Sequence, residues 1–272
     1  MDPFWFYFIV KVAATATIVV AATYIAERSG PFWGALFAAF PVSAGPAYAM
    51  LALEAEADFI ASSALNSFAS MSAGAPFVVA LVNLAMRTSA FIALGGALVV
   101  WIVFAIPIGL VEWTFLPAAV MNLGVLMLCL RLTRAALTLE VTVPVVKRHW
   151  FDLPLRSLVV GCFVAAVVTA SEAMGPVGTG FAATFPITFS SLAVVLHMRL
   201  GGVTASVTMA SALRAVLGMY FALPVLHFAV LAWGVGWGLL LALATTIIWA
   251  LVLVLHRWRT RKLHQIKQRL ST

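Results

Sequence analysis

Charged residues are scarce in this chain of 272 residues. Only 9% are Asp, Glu, Lys or Arg, whereas 64% are hydrophobic, and the mean hydropathy is +1.10. A soluble domain carries about 25% charged residues and about 45–50% apolar ones. A chain with so few polar side chains cannot cover its own surface in water. The composition therefore excludes a soluble globular enzyme and predicts an all-α polytopic membrane protein.

Cysteine is almost absent, and the usual catalytic motifs are missing. Cys129 and Cys162 lie inside apolar runs, and their spacing indicates neither a disulfide framework nor a metal site. The chain has no Gly-x-Ser-x-Gly, His-Glu-x-x-His, Cys-x-x-Cys or P-loop pattern. We therefore expect no enzymatic activity, no cofactor and no metal. Any transport is expected to be secondary or passive unless another subunit supplies energy.

Apolar runs separated by short polar breaks predict nine membrane-spanning helices. They are Phe4–Ala26, Pro31–Leu53, Phe59–Met86, Thr88–Val111, Thr114–Leu132, Leu153–Ala170, Pro176–Met198, Thr204–Leu231 and Trp233–Leu255. The third and eighth helices are long, so we expect them to be tilted, or kinked near Pro76 and Pro224.

Lys and Arg are missing from alternate connections between these helices. The basic connections hold Arg28, Arg87, Arg131, Arg134, Lys147, Arg148 and Arg199, and six more basic residues follow in the tail at 257–272. The opposite segments hold Asp2, Glu54, Glu56, Asp58, Glu112 and Glu172 instead. Basic residues accumulate in cytoplasmic segments, so we expect the N-terminus outside and the C-terminus inside. The same rule explains the net charge of +7 without nucleic-acid binding.

A shift of 145 residues aligns two segments of the chain with six identities in 17 positions. The first is ERSGPFWGALFAAFPVS from Glu27, and the second is EAMGPVGTGFAATFPIT from Glu172. In each segment Gly-Pro is followed ten residues later by Phe-Pro, and a proline within a span can split it into half-helices. Paired interruptions of this kind are typical of transporter sites, although simple kinks for helix packing are the alternative.

The segments are separated by an odd number of helices, so the two halves have opposite orientations in the membrane. We expect two inverted four-helix repeats, at 1–112 and 153–256, joined by a linker helix and a cytoplasmic loop at 113–152. Such inverted repeats form many secondary transporters, whose sites lie near the membrane midplane. The tail at 257–272 is expected to contact anionic lipid, or to act only as an orientation signal.

The first half resembles the GlpM-like family of small bacterial inner-membrane proteins, which are about four helices long. The shared features are Lys11 in the first helix, Phe40–Pro41 in the second, and the serines of 62–72 before Pro76 in the third. Their counterparts in the second half are Arg156, Phe185–Pro186, the Thr and Ser residues of 204–211, and Pro224. The resemblance implies two such units fused by a linker, and a bacterial inner-membrane location.

Charges within a span are costly, so each is a candidate for function. Arg214 lies eleven positions into the eighth span, too deep for easy snorkelling, with no Asp or Glu at similar depth in any span. A bound anion, or carbonyls freed by a broken helix, would satisfy its charge. Lys11 and Arg156 occupy equivalent repeat positions, and both could instead snorkel to the interface. His227 is a candidate for proton coupling or a packing residue.

Uncharged polar side chains recur at helical spacing. Ser62, Ser63, Asn66, Ser67, Ser70 and Ser72 lie mostly on one face of the third span. Ser43 follows Pro41, and Thr188 follows Pro186. These residues would line a water-accessible path, or serve packing between helices.

These features predict a secondary transporter or permease for a small polar, anionic solute, working by alternating access between the repeats. The predicted substrate-binding residues are Arg214, Lys11, Arg156, Pro41, Pro186, Ser43, Thr188, Asn66 and His227. The alternatives are a non-transporting subunit that assembles with another membrane protein, and a passive channel. The expected protein partners are further copies of the chain or a partner membrane protein.

Overall fold

The computed structural model describes residues 44–139 and 152–270, together with six isolated positions between 9 and 17. In the second range, side chains are described for residues 158–256. Most of the first two predicted spans therefore lies outside the described residues. The side chains of the basic tail lie outside them as well.

Every regular element in the described ranges is a helix. They are α1 Ala44–Leu51, α2 Ala57–Ala85, α3 Ala90–Gly109, α4 Phe115–Leu132, a short 3-10 helix Ala135–Thr138, α5 Asp152–Ala183, α6 Ile187–Leu200, α7 Gly202–Ala215, α8 Leu217–Trp233 and α9 Val235–Leu270. Six stretches of this part of the chain are long and apolar enough to cross a membrane, namely Ala57–Ala85, Ala90–Gly109, Phe115–Thr138, Leu158–Leu200, Gly202–Trp233 and Val235–His256. The predicted class, a polytopic α-helical membrane protein, is confirmed.

Three glycines adopt a backbone conformation that side chains with a Cβ atom rarely take, and each lies between two helices. Gly175, Gly201 and Gly234 have φ of 65°, 83° and 84° with ψ near 180°. At Gly175 the chain folds back, because the Thr179 hydroxyl donates to the Ser171 carbonyl at 3.2 Å. In a continuous helix those residues would be about 12 Å apart along the axis. The 43-residue stretch from Leu158 therefore folds back at Gly175 into two antiparallel segments, 158–174 and 176–200, and the second segment is interrupted at Pro186.

The two predicted prolines do not interrupt their helices. α2 continues without a break through Pro76, and α8 continues through Pro224. The interruption in the eighth predicted span instead lies at Val216, between α7 and α8. It precedes Gly218, a poor helix former, where a Cβ atom would lie 3.0 Å from the Trp249 ring. Close packing of α9 on the first turn of α8 accompanies the break.

The most buried of the candidate spans is α2, which contacts α3, α4, α5, α7 and α8. α7 and α8 run antiparallel to α2. Ser206 of α7 donates to the Val82 carbonyl at 2.7 Å, whereas the later His227 of α8 lies 2.8 Å from the carbonyl of the earlier Ala61. The segment 176–183 runs parallel to α2, with the Ser67 hydroxyl donating to the Gly180 carbonyl at 2.8 Å. Small residues permit these close approaches.

We predict that Gly180→Ala destabilises the protein. A Cβ atom at this position would lie 2.6 Å from the Ser63 carbonyl oxygen and 2.8 Å from the Ser67 nitrogen, both backbone atoms that cannot rotate away. Overpacking of this kind costs about 1–3 kcal/mol. Thermal unfolding in detergent measures the loss as a lower melting temperature.

The matched control is Gly124→Ala, on an exposed part of α4 with no atom within 4 Å of the added Cβ. It should leave the melting temperature unchanged or raise it slightly. Equal effects of the two substitutions would show that the Gly180 contact is not tight.

Candidate anion-binding site at the centre of the helix bundle

The seventh predicted span is interrupted at the predicted proline. Helix α5 ends at Ala183, α6 begins at Ile187, and Pro186 between them has φ −77° and ψ 43°. The Ile187 N–H donates to the Phe185 carbonyl at 2.7 Å, which closes a tight three-residue turn. Proline suits this turn because its ring fixes φ, and it has no N–H to continue the helix.

The interruptions at Pro186 and Val216 lie at the same level of the bundle. Both are fifteen residues from Gly201, the turn that joins α6 and α7 into an antiparallel pair. Fifteen helical residues span about 22 Å, so the two breaks face one another across the hairpin. By the same count, Arg214 and Thr188 are each thirteen residues from Gly201. Arg214 and Thr188, two predicted substrate-binding residues from different spans, thus lie at the same level of the bundle.

Two helices begin at this level from opposite directions. α6 begins after Pro186 and α8 begins after Val216. The first N–H groups of a helix have no partner within it, and its N-terminal end carries a partial positive charge. The Thr188 hydroxyl in the first turn of α6 is buried and makes no hydrogen bond. The first turn of α6 therefore offers hydrogen-bond donors to an anion, while the carbonyl ends of α5 and α7 lie at the same level.

Arg214 is half-buried, and one guanidinium nitrogen donates to the Ala210 carbonyl on its own helix at 2.7 Å. Among the residues that the structure describes, it forms no ion pair with a carboxylate. Its side chain is turned back by one helical turn toward Gly201. The side chain follows the usual backward tilt along a helix and stays half-buried.

Three of the six polar residues on α2 serve packing between helices. Ser67 bonds to Tyr48 of α1 and to the Gly180 carbonyl, and Ser70 bonds to Thr184. Ser72 donates to the Asn122 side chain at 2.9 Å. These serines are at most 1% exposed. Of the two interpretations of the stripe, the geometry favours packing for these residues.

The remaining predicted site residues on described helices lie apart from Arg214. The half-buried Asn66 donates to the Ser62 carbonyl at 2.9 Å, beside Gly180. His227 contacts Ala61, near the far end of α2. Since α2 rises 1.5 Å per residue, Ala61 is about 15–20 Å from the level of Arg214. Lys11, Pro41 and Ser43 lie outside the described residues, as does the side chain of Arg156.

The sequence analysis missed two residues near the centre. Asn122 of α4 donates to the Phe68 carbonyl at 2.7 Å and accepts from Ser72. Tyr220 of α8 donates to the Met71 carbonyl at 3.2 Å. A lone Asn in an apolar helix was an available signal for Asn122.

The described residues include no group of three His, Cys, Asp or Glu side chains arranged to hold a metal ion. Comparison with family models, curated proteins and solved structures finds no match for this chain.

Asn122→Leu should destabilise the protein, because it leaves the buried Ser72 hydroxyl without its acceptor and removes a bond from α4 to α2. Hydrogen bonds between membrane helices average about 0.6 kcal/mol and reach about 1.7 kcal/mol. Unfolding in detergent, with Ser72→Ala and the double variant, gives the coupling between the two side chains. Ser72→Ala should cost less in the Asn122→Leu background than in the wild type.

Asn83→Leu is the control, since Asn83 is exposed and bonds only within α2. It should change the stability little. Additive effects of Asn122→Leu and Ser72→Ala would contradict the proposed link between α2 and α4.

Proposed function

We propose that the protein is a secondary transporter or permease for a small anionic solute. The observation that carries the proposal is the half-buried Arg214, which has no carboxylate partner among the described residues and lies beside two helix interruptions. An uncompensated guanidinium within a membrane span is costly. An anion held by Arg214, the N-terminal end of α6 and the free Thr188 hydroxyl would supply the missing charge and hydrogen bonds.

Two contacts between α2 and the α7–α8 pair support an inverted repeat. One contact joins Val82 and Ser206, and the other joins Ala61 and His227. A shift of 145 residues takes position 61 to position 206, and it takes position 82 to position 227. Each α2 residue of one contact is therefore equivalent, in the repeat, to the α7 or α8 residue of the other contact. Contacts that exchange in this way are expected when a two-fold axis in the membrane plane relates two halves. The axis would pass where α2 crosses the α7–α8 break.

On this proposal the chain has nine spans, with the N-terminus outside and the C-terminus inside, and the halves at 1–112 and 153–256 rock against one another. The bacterial inner membrane is the proposed location, in line with the resemblance to GlpM-like proteins. The proposal includes no catalysis.

A non-transporting membrane subunit is the second candidate. The observation in its favour is that Ser67, Ser70 and Ser72 are used in helix–helix hydrogen bonds, which leaves little of the stripe to line a path. Purification of a stoichiometric partner, with no anion flux from the chain alone, would support this candidate.

The test is charge movement by the full chain in liposomes on a solid-supported membrane. Rapid exchange of chloride, nitrate, acetate, sulfate and phosphate should give a current that saturates with at least one anion. Arg214→Ala should abolish that current while the protein still inserts and melts cooperatively, because the anion loses its main charged partner.

Arg87→Ala is the control, since Arg87 is exposed beyond the end of α2. It should retain the wild-type current. A wild-type current that persists in Arg214→Ala would contradict the site, and a current that rises without saturation would indicate a passive channel.

A further inference from the structure

The two halves of the predicted repeat differ at the middle of their central helices. A shift of 145 residues takes position 71 to position 216, where α7 ends and α8 begins. Met71 is fourteen residues from either end of α2, and α2 is continuous there. The same repeat position is therefore a break in the second half and the midpoint of an intact helix in the first half.

Two carbonyls near the midpoint of α2 accept hydrogen bonds from side chains of other helices. The Met71 carbonyl accepts from the Tyr220 hydroxyl of α8 at 3.2 Å. The Phe68 carbonyl accepts from the side-chain amide of Asn122 in α4 at 2.7 Å. In a continuous helix each carbonyl also accepts from the backbone N–H four residues later. If α2 opened here, both carbonyls would keep one donor, which lipid could not supply.

The residues just after the midpoint weaken the backbone of α2. Pro76 has no N–H to donate to the Ser72 carbonyl, the bond that a helix would form at this point. Gly74 lies between them, and glycine is the poorest helix former apart from proline. A Cβ atom added at Gly74 would have no atom within 4 Å, so packing does not require glycine there. This stretch of α2 therefore opens at a lower cost than an uninterrupted apolar helix.

We propose that residues 71–76 form a hinge, at which α2 opens during the transport cycle in the way that the second half is already broken at Val216. When two halves have inverted orientations, interchange of their conformations moves the opening of a path from one side of the membrane to the other. One access state then has the break in α7–α8, and the opposite state has it in α2. The inference rests on the proposed function for the inverted repeat, and it adds which helix opens and where.

The test is hydrogen–deuterium exchange of the full chain in detergent, without added solute, followed by mass spectrometry of peptides from α2. A backbone amide exchanges when its hydrogen bond opens locally. Exchange across 72–79 should be faster than exchange across 60–68 and 81–85, which flank it in the same helix. An unbroken spanning helix would show the opposite order, because a helix opens most readily at its ends.

Two substitutions should close the hinge. Gly74→Ala should slow the exchange of 72–79 by about fivefold, because alanine is the better helix former. Pro76→Ala should slow it further, because it restores a backbone N–H to the helix. The matched controls are Gly95→Ala, which also adds a Cβ with no atom within 4 Å, and Pro224→Ala, at another proline inside a continuous helix. Both controls should leave the exchange of 72–79 unchanged.

The anion current in liposomes separates the hinge from the proposed function. Gly74→Ala should lower the current together with the exchange rate, and an unchanged current would overturn the role of the hinge in the cycle. Slowest exchange at the middle of α2, in a protein with a saturating current, would overturn the hinge and leave the proposed function standing. Fast exchange there without any anion current would support the hinge and contradict the proposed function.

Discussion

The close packing of α2 determines the rest of the arrangement. Its small residues allow the segment 176–183 to approach until Gly180 touches the backbone between Ser63 and Ser67. The same helix accepts a hydrogen bond from Ser206 at one end and contacts His227 at the other. In lipid, where burying apolar surface gives little advantage, such packing and hydrogen bonds are the main attraction between helices. A larger residue at Gly180 would therefore move the segment 176–183 away from α2.

This packing brings two interrupted helices to a common level. The backbone groups freed at an interruption need partners, and lipid offers none. One such carbonyl is that of Ala182, because Pro186 has no N–H to donate to it; the Phe185 N–H donates to this carbonyl instead, at 3.1 Å. The Thr188 hydroxyl and the Arg214 charge are not satisfied in this way. The polar side chains of α2 thus stabilise the bundle, whereas the unsatisfied groups at the interruptions are available to a ligand.

Much of this fold could be predicted from the sequence. Hydropathy gave the helices of 57–132 to within a few residues, and the Gly-Pro and Phe-Pro motifs gave the turn at Gly175 and the break at Pro186. The break at Val216 was not predictable, since neither proline nor glycine occupies it and it accompanies packing of Trp249 on Gly218. Proline alone does not locate the interruptions, because the helices remain continuous at Pro76 and Pro224. Arg214 stands out in the sequence by its depth in the span.

The central claim is that an oxyanion binds beside Arg214, where the two interrupted helices meet. The most direct measurement is anomalous X-ray scattering from crystals of the full chain soaked in selenate, a doubly charged oxyanion with a strong selenium signal. The expected result is a selenium peak that places selenate oxygens within hydrogen-bond distance of the Arg214 guanidinium, on the side of the first turn of α6. A well-ordered structure with selenate only at the protein surface, and Arg214 paired with a carboxylate, would contradict it.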